Sequence, residues 1–131
     1  MYASMTTNLM TESVDESVAF YRGVLGFSVT ASVPGKDGGL QFAILAKDGL
    51  SLMFQERRGL TEEYPILKAQ KVRPSATLYI AVDSLGGLYE ELKGKCRILR
   101  GIHKTFYGAD EFAAADNNGY VLTFTQKAGD N

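Results

Sequence analysis

This sequence has no tryptophan, one cysteine and one histidine in its 131 residues. The lone cysteine, Cys96, excludes a disulfide within the chain, which favours a reducing compartment and leads us to expect a cytoplasmic protein. The lone histidine, His103, excludes a metal site built on two imidazoles of one chain. Residues 1–10 do not have the basic start and apolar core of a signal peptide. No apolar run approaches the roughly 20 residues that a membrane-spanning helix needs.

An excess of charge of either sign is also absent. Fourteen Lys and Arg residues face fifteen Asp and Glu residues, a formal net charge of −1. No general field therefore attracts the chain to nucleic acid or to an anionic membrane, and we expect neither as a partner. Hydrophobic residues make up 45% of the chain and charged residues 22%, as in an ordinary globular protein. The length predicts one domain, residues 1–131.

The sequence does contain a duplicated pattern. Residues 41–54 read QFAILAKDGLSLMF, and residues 111–124 read EFAAADNNGYVLTF. Each is an apolar run, a turn centred on glycine and a second apolar run that ends in Phe. Upstream, Tyr21 and Tyr89 with their neighbours match at an offset of 68 residues. A repeat inside so short a chain predicts a fold made of two similar units.

Each unit is predicted to follow the order β-α-β-β-β. Ser13 and Asp83 are the expected helix caps, and the Asn-Gly pair of the second hairpin favours a type I′ turn. We expect unit one to span about residues 5–55, a connector residues 56–75 and unit two about residues 76–126. Within the connector, residues 64–71 are expected to form a helical turn. A loop is expected over residues 103–109, and a polar tail over residues 127–131.

Short motifs in this order resemble those of the vicinal oxygen chelate superfamily, which includes glyoxalase I, extradiol dioxygenases and bleomycin-resistance proteins. They are SVAFY at residues 17–21, LGF at 25–27, YG at 107–108, EF at 111–112 and DNNG at 116–119. The match covers roughly residues 6–126. One position departs from the family pattern, because Asn117 stands where the family usually has Pro.

The resemblance implies an α+β fold in which two tandem βαβββ units form a glyoxalase-like paired half-barrel around a cleft. Small members of the superfamily usually form homodimers, so we expect a homodimer here. Members that bind metal place ligands at four strand positions, and the motifs carry these positions to Thr6, Met53, Thr77 and Thr123. The family normally has His on the first strand of each unit and Glu or Gln on the last.

None of these four residues is a credible ligand for Zn, Ni, Fe or Mn, which bind imidazole, carboxylate or thiolate. A neutral Thr hydroxyl is a poor ligand, and the Met thioether suits soft copper. We therefore expect no metal and no other cofactor, and the chain is more simply read as a binding protein than as an enzyme.

The remaining function of such a cleft is to bind a small molecule. Residues on the same strand faces as the four positions, with one aromatic from the loop at the cleft mouth, give the expected ligand-binding set: Thr6, Ser51, Met53, Thr77, Tyr79, Tyr107 and Thr123. Phe54 and Phe124 occupy the opposite faces, so both are expected to pack as core.

Secondary candidates are Phe106, Arg57 and His103. Phe106 lies in the same loop as Tyr107, and Arg57 could reach a carboxylate or phosphate. His103 is either a solvated side chain or, if oriented by Glu111 or Asp110, a general base.

Three functions stay open on the sequence, the third being a dimeric interaction protein whose cleft is filled by its own side chains. The first is a metal-free binding protein of the bleomycin-resistance type that confers antibiotic resistance by sequestering an aromatic or amphipathic ligand. The second is a lyase, isomerase or dioxygenase of the same superfamily with an atypical or missing metal site. The sequence identifies neither the ligand nor its charge.

Overall fold

A computed structural model describes residues 1–127, so the polar tail expected at the end of the chain lies, beyond Lys127, outside the described residues. The chain divides into two compact units, residues 1–73 and 74–131. Within the described range, no helix is long and apolar enough to cross a bilayer.

Unit one is a four-stranded sheet with helices. In chain order its elements are β1 (Asn8–Thr11), α1 (Val14–Gly23), β2 (Ser28–Pro34), β3 (Leu40–Lys47), β4 (Leu50–Glu56) and α2 (Arg57–Glu63), followed by a 3₁₀ turn at Pro65–Leu67. The strand order is β1-β4-β3-β2. β1 and β4 are parallel, while the other neighbours are antiparallel.

Within residues 74–127, unit two repeats this plan and has no counterpart of α2. Its elements are β5 (Thr77–Ala81), α3 (Leu85–Leu92), β6 (Arg97–Lys104), β7 (Ala109–Ala115) and β8 (Val121–Lys127). The strand order is β5-β8-β7-β6, again with the first pair parallel. Two mixed sheets with helices confirm the predicted α+β class and the β-α-β-β-β order of each unit.

The predicted offset of 68 residues between the two copies is wrong. The N-caps of α1 and α3 are Ser13 and Ser84, which differ by 84 − 13 = 71 residues. Tyr21 therefore corresponds to Leu92, and these two side chains are 1% and 0% exposed. An error of three residues is close to one helical turn, so it leaves the hydrophobic periodicity almost unchanged. The periodicity could not expose a mistake of that size.

Aromatic side chains from the inner strands fill the helix side of each sheet. In unit one the rings of Tyr21 and Phe54 lie 5.0 Å apart, and Phe54 is fully buried. In unit two Phe112 stacks on Phe124 with centroids 4.9 Å apart, and Tyr89 of α3 contacts Phe112 edge-on at 5.2 Å. Phe54 and Phe124 are thus core residues, as the strand alternation predicted.

The two hairpin turns differ. Asp48 and Gly49 both have positive φ, 50° and 80°, as a two-residue type I′ turn requires. In the second hairpin only Gly119 has positive φ, so the predicted type I′ turn at Asn-Gly is wrong. There the Asp116 carboxylate accepts hydrogen bonds from the Asn118 and Tyr120 backbone N–H groups at 2.8 and 2.9 Å. These side-chain bonds stabilise a different turn.

The connector is more regular than predicted. The helical turn expected within residues 64–71 is present as the 3₁₀ turn at Pro65–Leu67, and the connector also contains the seven-residue helix α2 directly after β4. Leu60 of this helix is only 4% exposed. Burial of that side chain anchors α2 to unit one, so the first part of the connector belongs to the packed structure.

The two equivalent helix N-termini are capped differently, and this gives a stability prediction. The Ser13 hydroxyl accepts from the Glu16 backbone N–H at 3.1 Å, as predicted. The expected cap at Asp83 is wrong, because the N-cap is Ser84 and its side chain makes no capping bond. Instead, Gln126 Oε1 accepts from the Leu85 backbone N–H at 2.9 Å.

We therefore expect Ser13→Ala to lower the free energy of unfolding by about 1 kcal/mol, the usual cost of a lost N-cap. Ser84→Ala should change it by less than about 0.5 kcal/mol. Urea unfolding followed by circular dichroism measures both. Equal losses in the two variants would contradict the assignment of the caps.

Candidate functional site

The open face of the unit-two sheet carries most of the candidate residues. Because Phe112 and Phe124 point to the helix side, the alternating neighbours Glu111, Thr123 and Thr125 point the other way. The strand register pairs Tyr79 with Thr123. It also pairs Glu111 with Thr125. The parallel β5–β8 pair and the antiparallel β7–β8 pair therefore bring phenol, hydroxyl and carboxylate groups onto one surface.

Glu111 is the centre of this surface. Its Oε2 accepts hydrogen bonds from the hydroxyls of Tyr79 at 2.6 Å and Tyr107 at 2.5 Å. The Tyr79 hydroxyl also lies 3.3 Å from Thr125 Oγ1. Glu111 is only 6% exposed, while Tyr79 and Tyr107 are 59% and 54% exposed. A buried carboxylate thus holds the polar ends of two rings whose faces remain accessible.

The hydrogen bonds keep this carboxylate ionised. Burial acts to raise the pKa of Glu111, but hydrogen bonds from Tyr107, Tyr79 and Thr125 outweigh it, and the pKa falls below its ordinary 4.5. Its charge has the opposite effect on the donor, because the hydrogen bond to Glu111 raises the pKa of the Tyr107 hydroxyl. At neutral pH Glu111 is therefore a carboxylate, and Tyr107 is a neutral phenol.

His103 lies beside this cluster, and its predicted place in a loop is wrong. It is in β6 and pairs directly with Glu111 of β7. Its Nδ1 donates to the Gly101 carbonyl oxygen at 3.0 Å. β6 continues to Lys104 with two register irregularities in its pairing with β7, so the strand runs past the predicted boundary.

The four positions that hold metal in related proteins carry no suitable donor set. In unit two the Thr77 and Thr123 hydroxyls hydrogen-bond to each other at 3.0 Å. In unit one Met53 is half-buried opposite Asn8, and Thr6 is an exposed residue that precedes β1. Three neutral hydroxyls and a thioether do not fit a divalent zinc, nickel, iron or manganese ion. Across residues 1–127, no group of three or more His, Cys, Asp or Glu side chains could hold a metal ion.

The remaining candidates lie in different places. Ser51 and Met53 share the open face of β4, since Leu52 and Phe54 between and beyond them are buried. Phe106 is fully exposed and contacts Tyr107 edge-on at 5.0 Å.

Arg57, the first residue of α2, is already engaged. Its Nε lies 2.9 Å from Glu12, and its Nη1 donates to the Ala69 carbonyl at 3.1 Å. Arg57 was expected to reach an anionic ligand, but its bonds instead join α2 to Glu12, which follows β1, and to Ala69 of the connector.

Sequence reasoning missed the residue at the centre of the unit-two face. Glu111 was considered only as an orienting group for His103, and Thr125 was not considered. The signal was available, because Glu111 precedes the buried Phe112 and Thr125 follows the buried Phe124 on their strands. Nothing in the sequence indicated that Tyr107, in its loop, would donate a hydrogen bond to the same carboxylate oxygen.

The cluster predicts a measurable pKa change. Tyr107→Phe removes one hydrogen bond from the Glu111 carboxylate, so the pKa of Glu111 should rise towards its ordinary 4.5. The pKa of Glu111 is lower in the folded protein than in the unfolded chain. Ionised Glu111 therefore stabilises the fold fully when the pH is above the unfolded-chain pKa, and this stabilisation is lost as the pH falls through the folded-state pKa. The variant should lose this contribution at a higher pH than the wild type. Titration of ¹³C-labelled carboxyl groups measures the shift, and an unchanged Glu111 pKa would refute the cluster. Tyr2→Phe, at a fully exposed site, is the control.

Known structures share this fold. A glyoxalase/bleomycin resistance protein/dioxygenase from Nocardioides aligns with a TM-score of 0.81 at 14% identity, covering 100% of this chain and 88% of that one. A glyoxalase-related enzyme from Fulvimarina pelagi aligns at 0.77 and 18% identity, covering 100% and 96%. Lactoylglutathione lyase from Agrobacterium tumefaciens aligns at 0.74 and 16%, covering 95% and 92%. At such identities the likeness shows the fold alone. No curated protein matched the chain by sequence.

The sequence also matches a family model over residues 5–124, nearly the whole chain. That match, the duplicated β-α-β-β-β units and the structural neighbours agree with one another. The chain belongs to the Glyoxalase/Bleomycin resistance protein/Dioxygenase superfamily.

Proposed function

We propose that this protein is a small-molecule binding protein of the bleomycin-resistance type, which sequesters an aromatic or amphipathic ligand without a metal. The observation that carries the proposal is the pair of exposed phenol rings, Tyr79 and Tyr107, held by the buried Glu111 carboxylate on the open face of unit two. Thr77, Thr123 and the exposed Phe106 belong to the same proposed site.

The fixed geometry of the rings favours binding. An aromatic side chain offers a large apolar contact area and a polar tip, and it loses little entropy on binding if its rotamer is already fixed. Both hydroxyl ends are tied to one carboxylate oxygen, which restricts the rings before any ligand arrives. A planar ligand could then stack on rings that do not need to be ordered first.

The chemistry at the family's metal positions favours binding over a metal-dependent reaction. The Thr77 and Thr123 hydroxyls satisfy each other, and the counterpart positions in unit one supply a thioether and an exposed hydroxyl. A lyase, isomerase or dioxygenase with an atypical site is the alternative function. Such an enzyme would need an electrophile or an oxygen-activating group other than a metal bound at these four positions. No arrangement of the described residues favours this alternative.

We further propose that the protein is a cytoplasmic homodimer. We also propose that Ser51, Met53 and Thr6 contact ligand on unit one. The lone Cys96 is half-buried, and burial raises the pKa of its thiol, which suits a thiol that stays reduced and unreactive. Light scattering coupled to size-exclusion chromatography should give twice the mass of the 14.3 kDa chain. A monomer at high concentration would exclude the dimer.

The binding proposal predicts selective stabilisation by ligand. Screening planar aromatic and amphipathic compounds, including antibiotics, by thermal unfolding should find compounds that raise the Tm, because a ligand that binds only the native state stabilises it by mass action. Tyr79→Leu should weaken such a compound by about 3- to 10-fold, the value of one aromatic contact. Isothermal titration calorimetry measures this loss.

Tyr2→Leu is the matched control, because Tyr2 is fully exposed outside every helix and strand. Equal affinity in the Tyr79→Leu and wild-type proteins would contradict the site. A broad panel with no stabilising compound would contradict the function, and would favour an interaction protein whose cleft is filled by its own side chains.

A further inference from the structure

Unit one contains a pocket that none of the candidate residues above lines. Its volume is about 450 Å³, and it lies beside the open face of β4 and the helix α2. The lining residues come from β1, β2, β3, β4, α2 and the residue after it: Asn8, Val33, Gln41, Phe42, Gln55, Gly59, Glu63 and Tyr64. All eight belong to the same compact unit, so the pocket is complete within it.

Three polar side chains joined by hydrogen bonds form one wall, and their chemistry fixes which group of each pair is the donor. Gln55 Nε2 donates to Glu63 Oε1 at 3.1 Å, and Asn8 Nδ2 donates to Gln55 Oε1 at 2.9 Å. An ionised carboxylate can only accept, so the amide nitrogen of Gln55 must face Glu63. The Gln55 oxygen then faces Asn8, and the nitrogen of Asn8 faces Gln55.

This arrangement leaves a hydrogen-bond acceptor at each end of the three-residue series. Asn8 Oδ1 and the second carboxylate oxygen of Glu63 make no hydrogen bond to any of the described residues. Glu63 is the one charged residue among the eight that line the pocket, and it forms no ion pair within residues 1–127. Both acceptors are on exposed residues and can bond to water in the free protein, so the wall offers acceptors to a ligand that brings donors, and the Glu63 carboxylate favours a positive charge.

The rest of the pocket suits an apolar or aromatic body. Phe42 and Val33 supply apolar surface, and Tyr64 supplies a ring that is 52% exposed. A cation held at Glu63 would also gain from the face of such a ring. We infer that this pocket binds an organic ammonium or amidinium cation carried on an aromatic or apolar body. All the residues that carry this inference lie in unit one, so it does not rest on the site proposed in unit two.

The test compares three probes of one shape and different charge: benzamidine, benzamide and benzoate. In ¹⁵N-labelled protein, benzamidine should shift the side-chain amide signals of Asn8 and Gln55 and the backbone signal of Gly59. It should bind about two- to fivefold more tightly than benzamide, which is the preference that one exposed charge pair can provide. Benzoate should bind most weakly. Equal affinities for the three probes, or shifts confined to other residues, would overturn the inference.

Glu63→Gln should remove the preference for benzamidine over benzamide while leaving the benzamide affinity nearly unchanged. The matched control is Glu62→Gln, since Glu62 is an exposed neighbour on α2 that does not line the pocket. A loss of preference in both variants would mean a general charge effect and would overturn the site. Tyr79→Leu should leave benzamidine binding unchanged, so failure of the unit-two proposal and failure of this one can be told apart.

Discussion

The structure depends on the alternation of side chains along its strands, in which every second residue packs against a helix, α1 in unit one and α3 in unit two. Packing Phe54 in unit one and Phe124 in unit two against the helix side leaves the residues before and after them on the opposite face. A one-residue change of register in either strand would bury polar groups and expose the phenylalanine rings. The same hydrophobic pattern that stabilises each unit therefore fixes which side chains can form a site.

The two units carry different side chains on their open faces. In unit two the open face carries a buried carboxylate that binds two phenols, and the hydroxyls of Thr77 and Thr123 satisfy each other. In unit one the corresponding strand carries Met53 and Gln55, and the added helix α2 places Glu63 beside Gln55. Duplication has thus kept the strands while the groups on their open faces differ: one face is rich in hydroxyls, and the other has amide groups beside an exposed carboxylate.

Much of this could be predicted from residue types alone, because alternation and glycine turns are local signals. The hairpins, the β-α-β-β-β succession of each unit and the burial of Phe54 followed from them. The offset between the copies did not, since a shift of three residues preserves a helical pattern. Contacts made across the sheet were also hidden. The pairing of His103 with Glu111 requires a strand with irregular register, and the bond from Tyr107 to Glu111 requires the path of a loop.

We propose that these open faces bind organic molecules. The four strand positions at which the family resemblance places metal ligands carry three hydroxyls and a thioether. Metal analysis of protein purified without chelators, and then incubated with Zn, Ni, Mn or Fe(II) and dialysed, tests this proposal most directly. We predict substoichiometric metal in every case, with no change on Thr123→Ala. One tightly bound ion per chain that is lost in the Thr123→Ala variant would contradict the account.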